Sequence, residues 1–403
     1  MAVRLLLLLA VVALAACNVA PPVPVSVVHE AYVWQRQWDD ALRTALVESR
    51  DFIGAVRVLA LQRDDAARWV EPAPDLAALA ADGRAVTAVV RIDGRLAPDD
   101  APATLDRIVA LAARWREAGV VLSGVEIDHD CATARLDAYA AWLARLRAAL
   151  PASLRLSVTA LPAWRSAPAL SRVFDAVDET VLQVHAVLDP AQGLFVRAQA
   201  REWIDAWSRR ATKPWLVALP AYGAALRLDA DGEVIAVESE RALASKADEV
   251  REMTVDPREV AALLRELVAR PPPRWHGVVW FRLPREGDRR TWKLATLRAV
   301  AQARPLIVDL RVMLRPAANG ALDVVATNAG LVDASLPSVL RVDRPCQAGD
   351  AIGVYRYEAG TARQYFRRTT RATLRAGGER VIGWLRCDNK EMGHAEAVVV
   401  EAE

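Results

Sequence analysis

Eight short apolar runs alternate with longer amphipathic segments across residues 25–283, and few architectures accommodate that order. The runs fall at 25–34, 53–61, 86–92, 122–128, 154–161, 180–186, 215–220 and 277–283, and each is short enough to be a strand. The segments between them have helical spacing. Leu105, Ile108, Ala112 and Trp115 share one face of 104–118, and Leu136, Tyr139, Leu143, Leu146 and Leu150 share one face of 133–150, which Pro151 ends. Asp256 before Pro257 is an N-cap followed by proline at the first helical position, opening 258–270. Strands alternating with helices imply a parallel sheet, and eight units over this length match a (β/α)8 barrel, a TIM barrel of class α/β. The competing architecture, an open doubly wound sheet, usually has fewer strands and a glycine-rich first turn. The first turn here, Gln35 to Asp39, contains no glycine. Residues 27–303 are therefore assigned to the barrel.

One connection is long. After Tyr222 come two strand-like stretches around Ala230-Asp231-Gly232, which read as a hairpin inserted among the loops at the C-terminal end of the barrel. Beyond Arg304-Pro305 the pattern changes. Stretches at 306–314, 321–327, 338–342, 351–357, 381–386 and 395–400 are strand-like, with turn residues and no convincing helix between them. Residues 305–403 read as a small β-sandwich.

The N-terminal end belongs to neither unit. Arg4 precedes an apolar run from Leu5 to Leu14, shorter than the roughly 20 residues a spanning helix needs. The run closes on Ala15-Ala16-Cys17, which resembles the bacterial lipobox. That resemblance implies a signal peptide over 1–16, a lipid on Cys17, and a proline- and valine-rich tether over 17–26. The chain is then expected to be an exported lipoprotein anchored to the cell envelope. Asn18, in place of aspartate after the cysteine, favours the outer membrane, facing the periplasm.

Of 403 residues, 52 are basic and 50 acidic; removal of Arg4 with the signal leaves 51 against 50, no field for a nucleic-acid partner. With Cys17 acylated, three cysteines remain. Cys346 and Cys387 share the C-terminal region and are the expected disulfide, which export to an oxidising compartment permits; Cys131 is left as a small buried thiol. No CxxC, metal-ligand spacing, phosphate loop, dinucleotide motif or serine-hydrolase elbow occurs, so no metal or cofactor is expected.

The fourth run carries the chemistry. It reads Ser123-Gly124-Val125-Glu126-Ile127-Asp128-His129-Asp130. Strand side chains alternate, so Val125 and Ile127 face the helices while Glu126, Asp128 and Asp130 line the inside. One inward acid is explained by core hydrogen bonding; three in a row are not. Carboxylates at this spacing raise the pKa of at least one of them, which suits a general acid. The neighbouring strand ends add Arg91, Asp93, Ser157 and Thr159, and then Gln183, His185, Tyr222, Trp280 and Arg282. His185 reads equally as a satisfied core histidine, and Arg282 as a partner for a fourth-strand acid.

This segment resembles the Asp-Gly-x-Asp-x-Asp-x-Glu signature of family 18 glycoside hydrolases. In register, Gly124 matches the glycine, Glu126 and Asp128 the inner aspartates, and Asp130 the catalytic glutamate. Gln183-Val184-His185 stands where that family has Met-x-Tyr, and Gly277-Val278-Val279-Trp280 resembles its eighth strand. From residue 25 onward the chain is also similar to an uncharacterised bacterial exported family, domain of unknown function 3142, in Ala31-Tyr32-Val33-Trp34-Gln35-Arg36, Glu126-Ile127-Asp128-His129-Asp130-Cys131 and Thr159-Ala160-Leu161-Pro162. The glycoside hydrolase likeness implies action on an envelope or extracellular polysaccharide. Asp130 would be the acid, Asp128 its partner and Glu126 a deeper support. Trp280 and Trp34 would stack on sugars, and His185, Gln183, Tyr222 and Arg282 would bind substrate. Asp130 is one methylene shorter than the family's glutamate, and Ser123 and Glu126 also depart from the signature. The alternative is accordingly a glycan-binding envelope lipoprotein that no longer cleaves.

Overall fold

The computed structural model describes residues 27–96, 101–186, 192–238, 249–317, 320–387 and 399–401. The signal, Cys17 and the tether lie outside these residues, as does most of the stretch expected at 395–400.

The eight strands of the barrel are Val28–Val33, Ala55–Arg63, Ala85–Ile92, Leu122–Asp128, Arg155–Ala160, Glu179–Gln183, Trp215–Pro220 and Trp275–Phe281. Each pairs in parallel with the next, and Trp275–Phe281 returns to pair with Val28–Val33, so the sheet closes. Helices separate successive strands, among them Ala101–Glu117, Leu136–Ala149, Arg197–Ser208 and Pro257–Ala269. Closure brings strands near enough to exclude side chains at two points. A Cβ on Gly277 would lie 2.3 Å from the Val28 carbonyl oxygen, and one on Gly124 would lie 2.8 Å from that of Arg155.

Alternation decides what each face meets. Val125, Ile127, Ala88, Val90, Ala31 and Val33 pack outward against the helices in one large core. Tyr32, Val89, Val181, Leu216, Ala218 and Val279 form a smaller core inside the barrel, with Trp34 and Phe281 resting on it. Asp39, Asp75 and Asp256 cap three of the helices by accepting backbone N–H bonds, and Pro257 takes the first turn of the third. Several expected elements are shortened. The stretch 133–150 opens with a 3-10 turn, Thr133–Arg135, and its α-helix starts at Leu136. The sixth strand ends at Gln183, where the side-chain Nε2 donates to the His185 carbonyl at 2.9 Å.

The inserted segment is three-stranded. Ala224–Leu228 pairs antiparallel with Val234–Glu238 on one side and Glu249–Met253 on the other. It is stitched to the loop after the eighth strand. Tyr222 bridges Thr291, Trp292 N donates to Ala221 O at 2.9 Å, and Arg290 reaches Glu238 at 3.1 Å.

The C-terminal unit has two four-stranded antiparallel sheets. One holds Leu310–Pro316, Leu322–Asn328, Glu379–Cys387 and Cys346–Ala351; the other holds Tyr355–Ala359, Gln364–Arg368, Val339–Val342 and Val399–Glu401. Val324 and Ile382 of the first meet Leu340 and Phe366 of the second in one core, the arrangement of a sandwich. A disulfide joins Cys346 to Cys387, 41 residues apart.

Candidate active site

The inside of the barrel is charged at two depths. At the deeper level Arg57, on the second strand, is fully buried and fans out to three carboxylates. Its Nε donates to Glu30 at 2.6 Å, its Nη2 to Glu179 at 2.6 Å, and its Nη1 to Glu126. Tyr32 Oη donates to Glu126 at 2.6 Å, and Ser157 and Thr159 complete its surroundings at 3.3 and 3.4 Å. A planar guanidinium is the group that can serve three acceptors at once. Burial raises the Glu126 carboxyl, and Arg57 and Tyr32 only partly oppose it. Burial would raise Glu179 too, but Arg57 and a bond from His276 outweigh it and hold that carboxyl at about 2. Glu126 therefore sits in a closed ionic core, not at the mouth. Expected as a deeper support for the acids of the mouth, Glu126 is a buried partner of Arg57.

Nearer the mouth a second arginine organises the other acids. Arg91, on the third strand, donates from Nη1 to Asp128 at 3.0 Å, from Nη2 to Asp130 at 2.7 Å and from Nε to Asp93 at 2.7 Å. Gln62 joins Asp93 at 2.7 Å, and Arg36 joins Gln62 at 3.2 Å. Asp128 is buried. Its carboxyl is raised by desolvation first and by the charge of Asp130, against the pull of Arg91. Asp130 lies just past the strand end, its side chain 52% exposed. One guanidinium thus holds a buried acid and an open acid together at the barrel mouth. Between them in sequence, His129 turns outward, its Nδ1 against Ile92 O at 2.9 Å.

The far side of the mouth is aromatic. Trp34 and Phe281 have ring centroids 5.3 Å apart and are partly exposed; Tyr222 and His185 pack on Phe281 at 5.0 and 5.7 Å. Tyr222 Oη lies 3.4 Å from His185 Nδ1, and burial holds the imidazole neutral, with its pKa at about 3. His185 Nε2 finds no partner among the described residues. Gln183 stands beside it, partly exposed. The peptide between Phe281 and Arg282 is cis.

Two expected binding residues are corrected. Trp280 is fully buried on the outward face of the eighth strand, stacked on His29 with its Nε1 donating to His29 Nδ1 at 3.1 Å. Alternation puts Phe281, its neighbour, inside. Arg282 is buried and pairs with Asp288 at 2.7 Å, not with an acid of the fourth strand. Cys131 is buried, as expected, and desolvation pushes its thiol up to about 11, which disfavours the thiolate. Arg57, Glu30 and Glu179 were not singled out in the sequence, yet a charged residue amid Val56, Val58 and Leu59 was the available sign.

The profile of a family described as Domain of unknown function (DUF3142) matches residues 82–286, just over half of the chain. A second, Domain of unknown function (DUF8456), matches 311–388 in the C-terminal unit. No curated protein matches. Among solved structures, a chitinase from Chromobacterium violaceum ATCC 12472 is 17% identical, with a TM-score of 0.47 over 70% of this chain and 100% of that one. The Bacillus megaterium QM B1551 spore cortex-lytic enzyme SleL is 14% identical, with a TM-score of 0.49 over 65% and 72%. A tamarind chitinase-like lectin is 11% identical, with a TM-score of 0.42 over 69% and 99%. The barrel described above rests on its own strand order, not on these likenesses.

Proposed function

The chain belongs to the family of the domain of unknown function DUF3142, and from that premise we propose that this member is a glycoside hydrolase acting on an envelope or extracellular polysaccharide from a lipid anchor on Cys17. The observation that carries the reading is the hold of Arg91 on Asp128 and Asp130, one acid buried and one open to solvent. Burial raises the Asp128 carboxyl and so favours its protonated form, which makes it the proton source of the pair. Asp130 is the member that meets substrate. The proton passes to the glycosidic oxygen as its bond to the sugar carbon breaks. A water then adds its hydroxyl to that carbon, and its remaining proton returns to the pair. Trp34 and Phe281 offer faces for the apolar side of a sugar ring, and Gln183 and His185 offer polar edges beside them.

The alternative, a glycan-binding protein that does not cleave, is favoured by one feature: Asp130 is already engaged by Arg91 at 2.7 Å. One experiment separates the two. The full chain is incubated with neutral β-1,4-linked oligomers of N-acetylglucosamine, glucose and mannose, and products are weighed by mass spectrometry. Cleavage by the native chain, lost in Asp128→Asn and Asp130→Asn with binding kept, supports hydrolysis. Binding without products in the native chain supports the alternative, and absence of both refutes the glycan reading.

A further inference from the structure

Between the last two barrel loops and the C-terminal unit lies a cleft of about 580 Å³, within the roughly 300–1,000 Å³ usual for ligand sites. One wall comes from the start of the helix Pro257–Ala269 and the loop 286–293, the other from 331–333 and 375–378. Tyr222 belongs to both the cleft and the mouth, since its hydroxyl meets His185 on one side while the residue lines the cleft on the other.

The wall is polar but electrically balanced. Lys293 pairs with Glu286 at 3.0 Å, Arg290 with Glu252 at 3.4 Å, and Asp288 with Arg282 at 2.7 Å. Asp333 accepts the Ala376 N–H at 3.0 Å. Such a wall offers hydrogen-bonding groups without a net field for an anion or a cation. The hydroxyl of Thr291, a residue in that wall, is buried and finds no partner among the described residues. A buried hydroxyl left without a partner is unfavourable, and it marks this wall as incompletely satisfied. Pro257, Val332 and the buried ring of Trp292 supply apolar surface between the polar groups.

We propose that this cleft is a second glycan-binding site, continuous with the mouth past Tyr222, that takes further uncharged sugar units of the chain bound at the barrel. It rests on the glycan reading of the mouth, and it makes the C-terminal unit part of the binding surface. Thr373 and Thr254 are exposed on opposite walls, away from the acids of the mouth, so tryptophan at either fills the cleft without entering the core.

The test is calorimetric titration of the full chain with β-1,4-linked N-acetylglucosamine, glucose and mannose oligomers of two to eight units. For the native chain, affinity should rise at least tenfold from the shortest to the longest oligomer of the sugar that binds. Thr373→Trp and Thr254→Trp should each remove that gain and leave binding of the shortest oligomer unchanged, with thermal unfolding showing that both variants are folded. If short oligomers bind and length adds nothing, or if both variants keep the full gain, the cleft is not a glycan site and the mouth reading stands. If no oligomer binds at any length, the mouth reading falls and this inference falls with it.

Discussion

Arg91 Nη2 lies 2.7 Å from Asp130 Oδ2, and the same guanidinium reaches Asp128 at 3.0 Å. The two acids differ in burial: Asp128 is enclosed, while the Asp130 side chain is 52% exposed.

Asp128 is raised by burial. A carboxyl that binds its proton more tightly folded than unfolded contributes stability below its unfolded pKa, and that contribution fades as pH rises through the folded value. Asp128→Asn removes the effect. The melting temperature of the variant minus that of the native chain should therefore grow in the variant's favour from about pH 4 upward. A difference that stays flat between pH 4 and pH 8 would show that Arg91 fully offsets the burial.

Arg57 pairs with three buried carboxylates at once. Arg57→Met strands them, and removing one partner of a buried ion pair costs about 3–5 kcal/mol. Urea unfolding should show at least that loss. Arg57→Lys should recover only part of it, because an ammonium lacks the planar fork. A native-like midpoint for Arg57→Met would mean that the cluster contributes nothing to stability.

Trp280 and Trp34 should separate stability from binding. Trp280→Ala opens a cavity in the outer core, at a cost of about 3–5 kcal/mol, with little effect on the mouth. Trp34→Ala should leave the melting temperature nearly unchanged and weaken glycan binding by about 1–3 kcal/mol, the range of aromatic stacking platforms. The reverse pattern would restore Trp280 as the sugar platform.

The Cys346–Cys387 disulfide closes a loop of 41 residues. Loop-closure entropy then gives the C-terminal unit about 3–4 kcal/mol. The double substitution to serine should lower the unfolding midpoint of that unit accordingly, as read by denaturant titration. An unmoved midpoint would place the stability in the shared core instead.

Replacing Cys17 with alanine should block acylation and move the protein from the membrane fraction to the soluble one. Immunoblots of the two fractions decide this, and an unchanged membrane fraction would remove the lipid anchor from the proposal.

The barrel was legible because both of its periodicities were strong. The runs at 122–128 and 215–220 coincide with the observed strands, since helices and strands of a parallel barrel bury different residues and leave different spacings. Alternation also turned Glu126 and Asp128 inward correctly. Just past the strand end Asp130 keeps to the same side, bonded by the Arg91 that also holds Asp128. Trp280 was misread because its role was carried over from the likeness of 277–280 to the eighth strand of family 18, although its parity with Val278 placed it on the outer face. Arg57 and its partners Glu30 and Glu179 come from three strands, and the burial that unites them depends on closure of the barrel. No local pattern encodes that meeting.

The stitching of the inserted sheet to the eighth loop has a consequence for selectivity. Tyr222 bridges Thr291, Gly223 N donates to Arg290 O at 2.5 Å, and Arg290 grips Glu238 and Glu252. The described strands of the insert and the eighth loop are therefore tied together by backbone and ion-pair contacts on this side of the entrance. Under the proposed glycan reading, adjustment to branched or substituted chains would fall to the opposite side, where Arg36, Gln62 and Asp93 are joined by side-chain bonds alone.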